Sequence, residues 1–96
     1  MVEVRQTKLF AKWLAGLKDH QAQTAIAKRI RRIEGGLPGD VKPVGEGVSE
    51  ARIHINAGYR LYFVQRGKTV VILLCGGDKS TQAADIAKAK EMAPTA

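Results

Sequence analysis

Two arginines, a histidine and a tyrosine lie close together in the second half of this chain, as Arg52, His54, Arg60 and Tyr62; Cys75 and the run Gly76-Gly77-Asp78-Lys79 follow. Guanidinium forks bind phosphate oxygens in pairs. An imidazole exchanges a proton near neutral pH, and a tyrosine ring offers a face on which a base can stack. Metal-free cleavage of RNA, in which the 2′-hydroxyl attacks the neighbouring phosphorus, needs a base, an acid and positive charge for the transition state. This set of residues holds candidates for each role. Each also has a plainer reading: Arg52 as a solvated surface residue, His54 as structural or merely exposed, Tyr62 as packing, Cys75 as an inert small hydrophobe.

Strand alternation is what would gather them. Val48 to Ile55 alternates apolar and polar, Asn56-Ala57-Gly58 reads as a three-residue hairpin loop and Gly67-Lys68 as a two-residue one. The next strands are then Tyr59 to Gln65 and Thr69 to Cys75, the last apolar on both faces and central in the sheet. The first loop pairs Ile55 with Tyr59, His54 with Arg60, Ile53 with Leu61 and Arg52 with Tyr62. The second pairs Val64 with Val71, Tyr62 with Leu73 and Arg60 with Cys75. Period two predicts Ile53, Leu61, Phe63, Ile72 and Leu74 on one face, and Arg52, His54, Arg60, Tyr62 and Cys75 on the other, an open surface.

The apolar face needs a cover, and the first third of the chain supplies it. Thr7 is an N-cap for a helix with Phe10, Trp13, Leu14 and Leu17 on one stripe. Asp19 caps a second helix with Ala22, Ile26, Ile30 and Ile33 on one side, stopped by Gly35-Gly36. The short connection around Lys18 predicts an antiparallel helix pair. Residues 2–5 form a short strand and Pro38-Gly39-Asp40 a turn; Asp78 caps a last helix that runs to about Met92, with Pro94 closing it. The order is β-α-α-β-β-β-β-α, an α+β fold with the N-terminal helix pair packed on a small antiparallel sheet and a C-terminal helix.

Composition narrows the class. In 96 residues, 16 Lys and Arg stand against 9 Asp and Glu, a net charge of +7, while 45% hydrophobic residues suffice for a core. The excess is spread over both halves and biases the molecule toward polyanions or acidic partners. The run Lys28-Arg29 with Arg31-Arg32 is either the solvated side of the second helix or a phosphate-tracking patch. Asp78 and Lys79, where a helix begins, could address an anion. The longest apolar run, Val70 to Cys75, is far below the about 20 residues that span a bilayer. Residues 1–5 lack the regions of a signal peptide, and a single cysteine suits a reducing compartment. One Cys and two His show no metal-site spacing. The expectation is one cytoplasmic domain over residues 1–96, without metal, cofactor or membrane.

The series Phe10-x-x-Trp13-Leu14, Gly39-Asp40-Val41-Lys42, Arg52-Ile53, Gly58-Tyr59-Arg60-Leu61-Tyr62-Phe63 and Leu73-Leu74-Cys75-Gly76-Gly77-Asp78-Lys79-Ser80-Thr81-Gln82 resembles the phage-derived Gp49-like, HigB-type branch of the RelE/ParE toxin superfamily. Proteins of this branch are often labelled addiction module killer proteins. The resemblance covers nearly the whole chain. It implies the toxin of a type II toxin–antitoxin module, a metal-independent endoribonuclease that cuts mRNA on the ribosome, inhibits translation and arrests growth. Its partner would be a small cognate antitoxin, encoded next door and carrying a helix-turn-helix, with acidic or apolar segments that cover the basic face.

Arg60 matches the Gly-Tyr-Arg position where such toxins keep a phosphate-stabilising arginine. Lys79 falls near their basic position after the last strand, and Arg52 corresponds approximately to basic residues of the preceding strand. RelE-type enzymes commonly place a tyrosine near the C-terminus; Thr81 to Ala96 has neither Tyr nor His, which leaves His54 or Asp85 for proton transfer. The expected catalytic set is Arg60, Lys79, Arg52, His54 and Asp85, and the expected RNA contacts are Lys42, Tyr62, Lys28, Arg29, Arg32 and Asp78. Two alternatives stay open. ParE-like relatives share the fold and poison DNA gyrase without catalytic residues. A plain RNA-binding module would bind without cutting, although few aromatic platforms are present for one.

Overall fold

The computed structural model describes residues 2–96. Strand β1 (Glu3–Gln6) leads into helices α1 (Lys8–Ala15) and α2 (His20–Glu34). Four strands follow: β2 (Val41–Gly45), β3 (Val48–Ile53), β4 (Tyr59–Arg66) and β5 (Val70–Gly77). A 3-10 turn (Lys79–Thr81) opens α3 (Gln82–Met92), and a second such turn (Ala93–Thr95) follows it. The element order is the expected one. Among the described residues no helix is long and apolar enough to cross a membrane.

Local chemistry sets the helix ends. Thr7 Oγ1 accepts from the Phe10 amide at 3.0 Å and donates to the Leu74 carbonyl at 2.6 Å, so one hydroxyl both starts α1 and docks it on β5. Asp19 accepts from the Ala22 amide at 3.0 Å to start α2. Gly36, at φ +83°, takes the left-handed conformation that ends it. Both apolar stripes lie on the same face of the sheet: Phe10, Ala22, Ile26 and Ile33 are buried there, with Trp13, Leu14, Leu17 and Ile30 packed around them.

The strand order is β1-β5-β4-β3-β2. β2 to β5 are antiparallel neighbours, whereas β1 joins β5 in parallel (Glu3 beside Val70, Gln6 beside Leu73), so the sheet is mixed rather than wholly antiparallel. The parallel pairing is open to β1 because the whole intervening chain serves as its crossover. As expected, β5 is interior and apolar on both faces.

Turn length corrects the expected registers. The first hairpin pairs Ile53 with Tyr59 around residues 54–58, two residues from the expected alignment; an even shift keeps every side chain on its face, and Arg52 now opposes Arg60 instead of Tyr62. The second hairpin pairs Arg66 with Val70, an odd shift that reverses the start of β5. Ile53, Leu61 and Phe63 therefore lie under α1 and α2 as expected, but Val71 and Leu73 join them there. Ile72 and Leu74 face the other way. A bulge at Tyr62/Phe63 restores the phase, which sets Cys75 opposite Tyr62.

The second face is not open along its length. α3 and the turn after it lie on it, with Ile86, Ala89, Met92 and Ala93 packed against Val48, Tyr62, Val64, Ile72, Leu74 and Cys75. A strand apolar on both sides needs two covers.

Candidate functional site

Beyond the α3 N-terminus the covered face gives way to charge. Arg52 on β3 and Arg60 on β4 are direct cross-strand partners, and so are Glu50 and Tyr62 beside them. Like charges directly opposed destabilise a ladder unless something neutralises them. Glu50 does so. Its carboxylate is fully buried. Oε1 accepts from Arg52 Nε at 2.7 Å, Oε2 accepts from Gln82 Nε2 of α3 at 2.9 Å, and Oε2 lies 3.9 Å from Arg60 Nε. Burial pulls the Glu50 carboxyl up, but the hydrogen bonds from Arg52 and Gln82 and the Arg52 charge outweigh it and hold it below the usual carboxylate range. The same hydrogen bond and charge raise Arg52 above its ordinary value.

Arg60 is only 11% exposed. Its Nη1 donates to the Gly58 carbonyl at 2.9 Å, which holds the guanidinium against the hairpin loop, while Nε has no hydrogen-bond partner. Next to it opens a cleft of about 440 Å³, walled by His54, Ile55, Asn56, Ala57, Gly58, Arg60 and Lys79. The Lys79 amide donates to the Ala57 carbonyl at 3.3 Å and ties the turn after β5 to the loop. Asp78 caps that turn by accepting from the Ser80 amide at 2.8 Å, and the Ser80 hydrogen bonds hold its carboxyl low. Its carboxylate is thus engaged in presenting Lys79.

His54 stands at the mouth, with Nε2 at 2.6 Å from Asp40 Oδ2. The His54 hydrogen bond is the main cause that keeps the Asp40 carboxyl below its usual range, helped by the charges of Arg52 and Arg29. An ionised Asp40 accepts, so Nε2 donates to it; in the neutral form of the ring that tautomer leaves Nδ1 as an acceptor.

The other expected residues are more scattered. Asp85, in the first turn of α3, accepts from Thr81 Oγ1 at 2.6 Å and lies outside the cleft lining. Lys42 is exposed on β2 opposite Glu50. Lys28 and Arg32 are exposed on α2, which covers the opposite face of the sheet. Arg29 tucks under the turn at Gly39, and burial, then Arg32, lowers its guanidinium against the pull of Asp40. The stacking face expected of Tyr62 is not available: the ring is fully buried beneath α3, its hydroxyl without a partner. Cys75 is a buried free thiol, pushed up to about 11 chiefly by burial.

Sequence reasoning passed over Glu50, Gln82 and Asp40. For Glu50 the signal was present: residues 50 and 52 share strand parity, so the argument that places Arg52 places Glu50 beside it.

Residues 12–93, which include Arg52, His54, Arg60 and Lys79, match the family model described as phage derived protein Gp49-like (DUF891). The chain belongs to this family. The Gp49-like proteins are an addiction-module toxin family related to RelE and HigB, and they generally pair with an antitoxin. This Gp49-like chain is 45% identical over 92 residues to a protein of Haemophilus influenzae described as uncharacterized, covering 96% of this chain and 93% of that one. Its fold is similar to the solution structure of a conserved hypothetical protein, HP0894, from Helicobacter pylori: TM-score 0.50 at 22% identity, over 83% of this chain and 97% of the other. That likeness concerns the fold, which is RelE-like.

Proposed function

We propose that this Gp49-like chain is an endoribonuclease toxin that cuts mRNA, on the ribosome, through chemistry carried by its own side chains. The observation that supports this most is the cleft itself, in which Arg60 and Lys79 line one site with the His54–Asp40 pair at its mouth. In this reading the free Nδ1 of His54 takes the proton of a ribose 2′-hydroxyl. The oxygen attacks the adjacent phosphorus, the bond from phosphorus to the 5′-oxygen breaks, and the leaving oxygen takes up a proton. The products are a 2′,3′-cyclic phosphate and a 5′-hydroxyl end. Arg60 and Lys79 stabilise the charge that builds on the phosphoryl oxygens, and Arg52 steers the incoming strand. His54 suits proton transfer better than Asp85, since it lines the cleft and retains an unengaged ring nitrogen.

The partner in this reading is a small antitoxin encoded next door. Acidic segments would complement a chain of net charge +7.

The test is induction in cells with transcripts followed over the first minutes. Rapid loss of intact mRNA, abolished by Arg60→Ala at equal expression, is the expected result. Intact transcripts with induction of a DNA-damage reporter would overturn it in favour of a gyrase poison.

A further inference from the structure

Glu50 is the one charged side chain that is fully buried among the described residues, and it sits on the face that carries the cleft. It is not in the cleft lining, and an acidic group repels phosphate, so nothing in the proposed reaction uses it directly. A buried carboxylate is costly unless each oxygen is engaged. Here one oxygen is given to Arg52 and the other to Gln82 from α3, while Arg60 lies close but unbonded at 3.9 Å. The three charges leave a surplus of one positive charge. Since Arg52 holds the hydrogen bond to the carboxylate, the guanidinium with unspent donors is Arg60. We infer that Glu50 is the positioning residue of the cleft: its carboxylate lets Arg52 and Arg60 stand side by side, binds the first, and by its field keeps the second on the cleft floor with donors free for phosphate.

Gln82 makes this arrangement depend on α3. Its hydrogen bond occupies the Glu50 oxygen nearest to Arg60. Withdrawing it leaves that oxygen free to close on Arg60 Nε, which draws the guanidinium toward the sheet and away from the cleft. The inference rests on reading the cleft as the RNA-cutting site.

The test uses Glu50→Gln, which keeps the shape and removes the charge. Three measurements are made: single-turnover cleavage of a short mRNA bound to ribosomes, binding to the same ribosome complex carrying an mRNA made uncleavable by 2′-O-methylation, and the Arg60 Nε–H resonance in ¹⁵N-labelled protein. Expected are a loss of at least tenfold in cleavage rate, unchanged or tighter binding of the uncleavable strand, a moved Arg60 resonance, and no further loss when the change is added to Arg60→Ala. Equal losses in both backgrounds, or an unmoved Arg60 resonance, overturn the inference. If Glu50→Gln does not fold, Gln82→Ala carries the same decision through the resonance, since it frees one carboxylate oxygen without altering charge. Wild-type protein that leaves the RNA intact would instead remove the endoribonuclease reading, and the resonance would still judge the coupling of Glu50 to Arg60.

Discussion

Arg52 and Arg60 face each other across β3 and β4, yet of the two only Arg52 donates a hydrogen bond to Glu50. The two arginines therefore predict different phenotypes. Arg52→Ala strips a buried carboxylate of its closest partner and should lower the melting temperature by several degrees. Arg60→Ala leaves that bond in place; the protein should melt near the wild-type temperature and lose about 10²–10³-fold in cleavage rate. Circular dichroism melts beside single-turnover assays separate the two. Equal destabilisation by both would mean that the carboxylate does not distinguish them.

Tyr62 makes a second case. Its hydroxyl is buried without a partner, and burial together with the Glu50 charge pushes its pKa up, so the phenol stays neutral. Tyr62→Phe removes an unsatisfied group and should change stability by less than about 1 kcal/mol, with cleavage intact. A tenfold fall in cleavage would restore a direct role for the ring.

Acid should unfold the protein through a small set of carboxylates. Glu50, Asp19, Asp40 and Asp78 are all held below their ordinary values in the folded state. The unfolded chain then takes up protons first as pH falls. Stability is fully present above the ordinary carboxyl values of about 4, and drains away as pH drops through the lower folded ones. Melting temperatures from pH 7 to 3 should be level and then decline, with a shallower decline for Asp19→Asn. A flat profile down to pH 3 would contradict these directions.

Gly76 and Gly77 are demanded by close approach on opposite faces of β5. A Cβ on Gly76 would lie 2.3 Å from the Trp13 ring, and one on Gly77 would lie 1.8 Å from Asp85 Oδ2. Gly76→Ala should cost about 1–3 kcal/mol, at about 4–8 °C of melting temperature per kcal/mol in a chain of this size. Trp13→Leu should recover part of that loss when combined with it, as coupled neighbours do. Simple additivity in the double variant would count against the clash.

What could be read from the sequence was whatever local chemistry decides. Thr7 and Asp19 announce their helices because a hydroxyl and a carboxylate satisfy amides three residues on, and Gly35-Gly36 announces the stop. The faces of Arg52 and Arg60 were legible for a subtler reason: the hairpin around residues 54–58 departs from expectation by an even number, which parity forgives. The turn at residues 67–69 departs by an odd number, and Ile72 and Leu74 changed sides. The cover over Tyr62 was hidden because α3 presents mostly alanine, with Ile86 and Met92 as its larger apolar groups, too faint a stripe to read as a packing face. Glu50 was readable by parity and overlooked because a carboxylate has no place in phosphate chemistry until its buried partners are known.

The parallel seam between Glu3–Gln6 and Val70–Leu73 also bears on how this molecule comes into being. Of the five described strands the first made lies beside the last, so the sheet cannot close until β5 has been made, and Thr7 has no Leu74 carbonyl on which to dock before then. Contacts this distant along the chain slow folding, because a long loop must be closed before any of them forms. During its own synthesis the chain lacks the assembled cleft until β5 and the turn that carries Lys79 have been made.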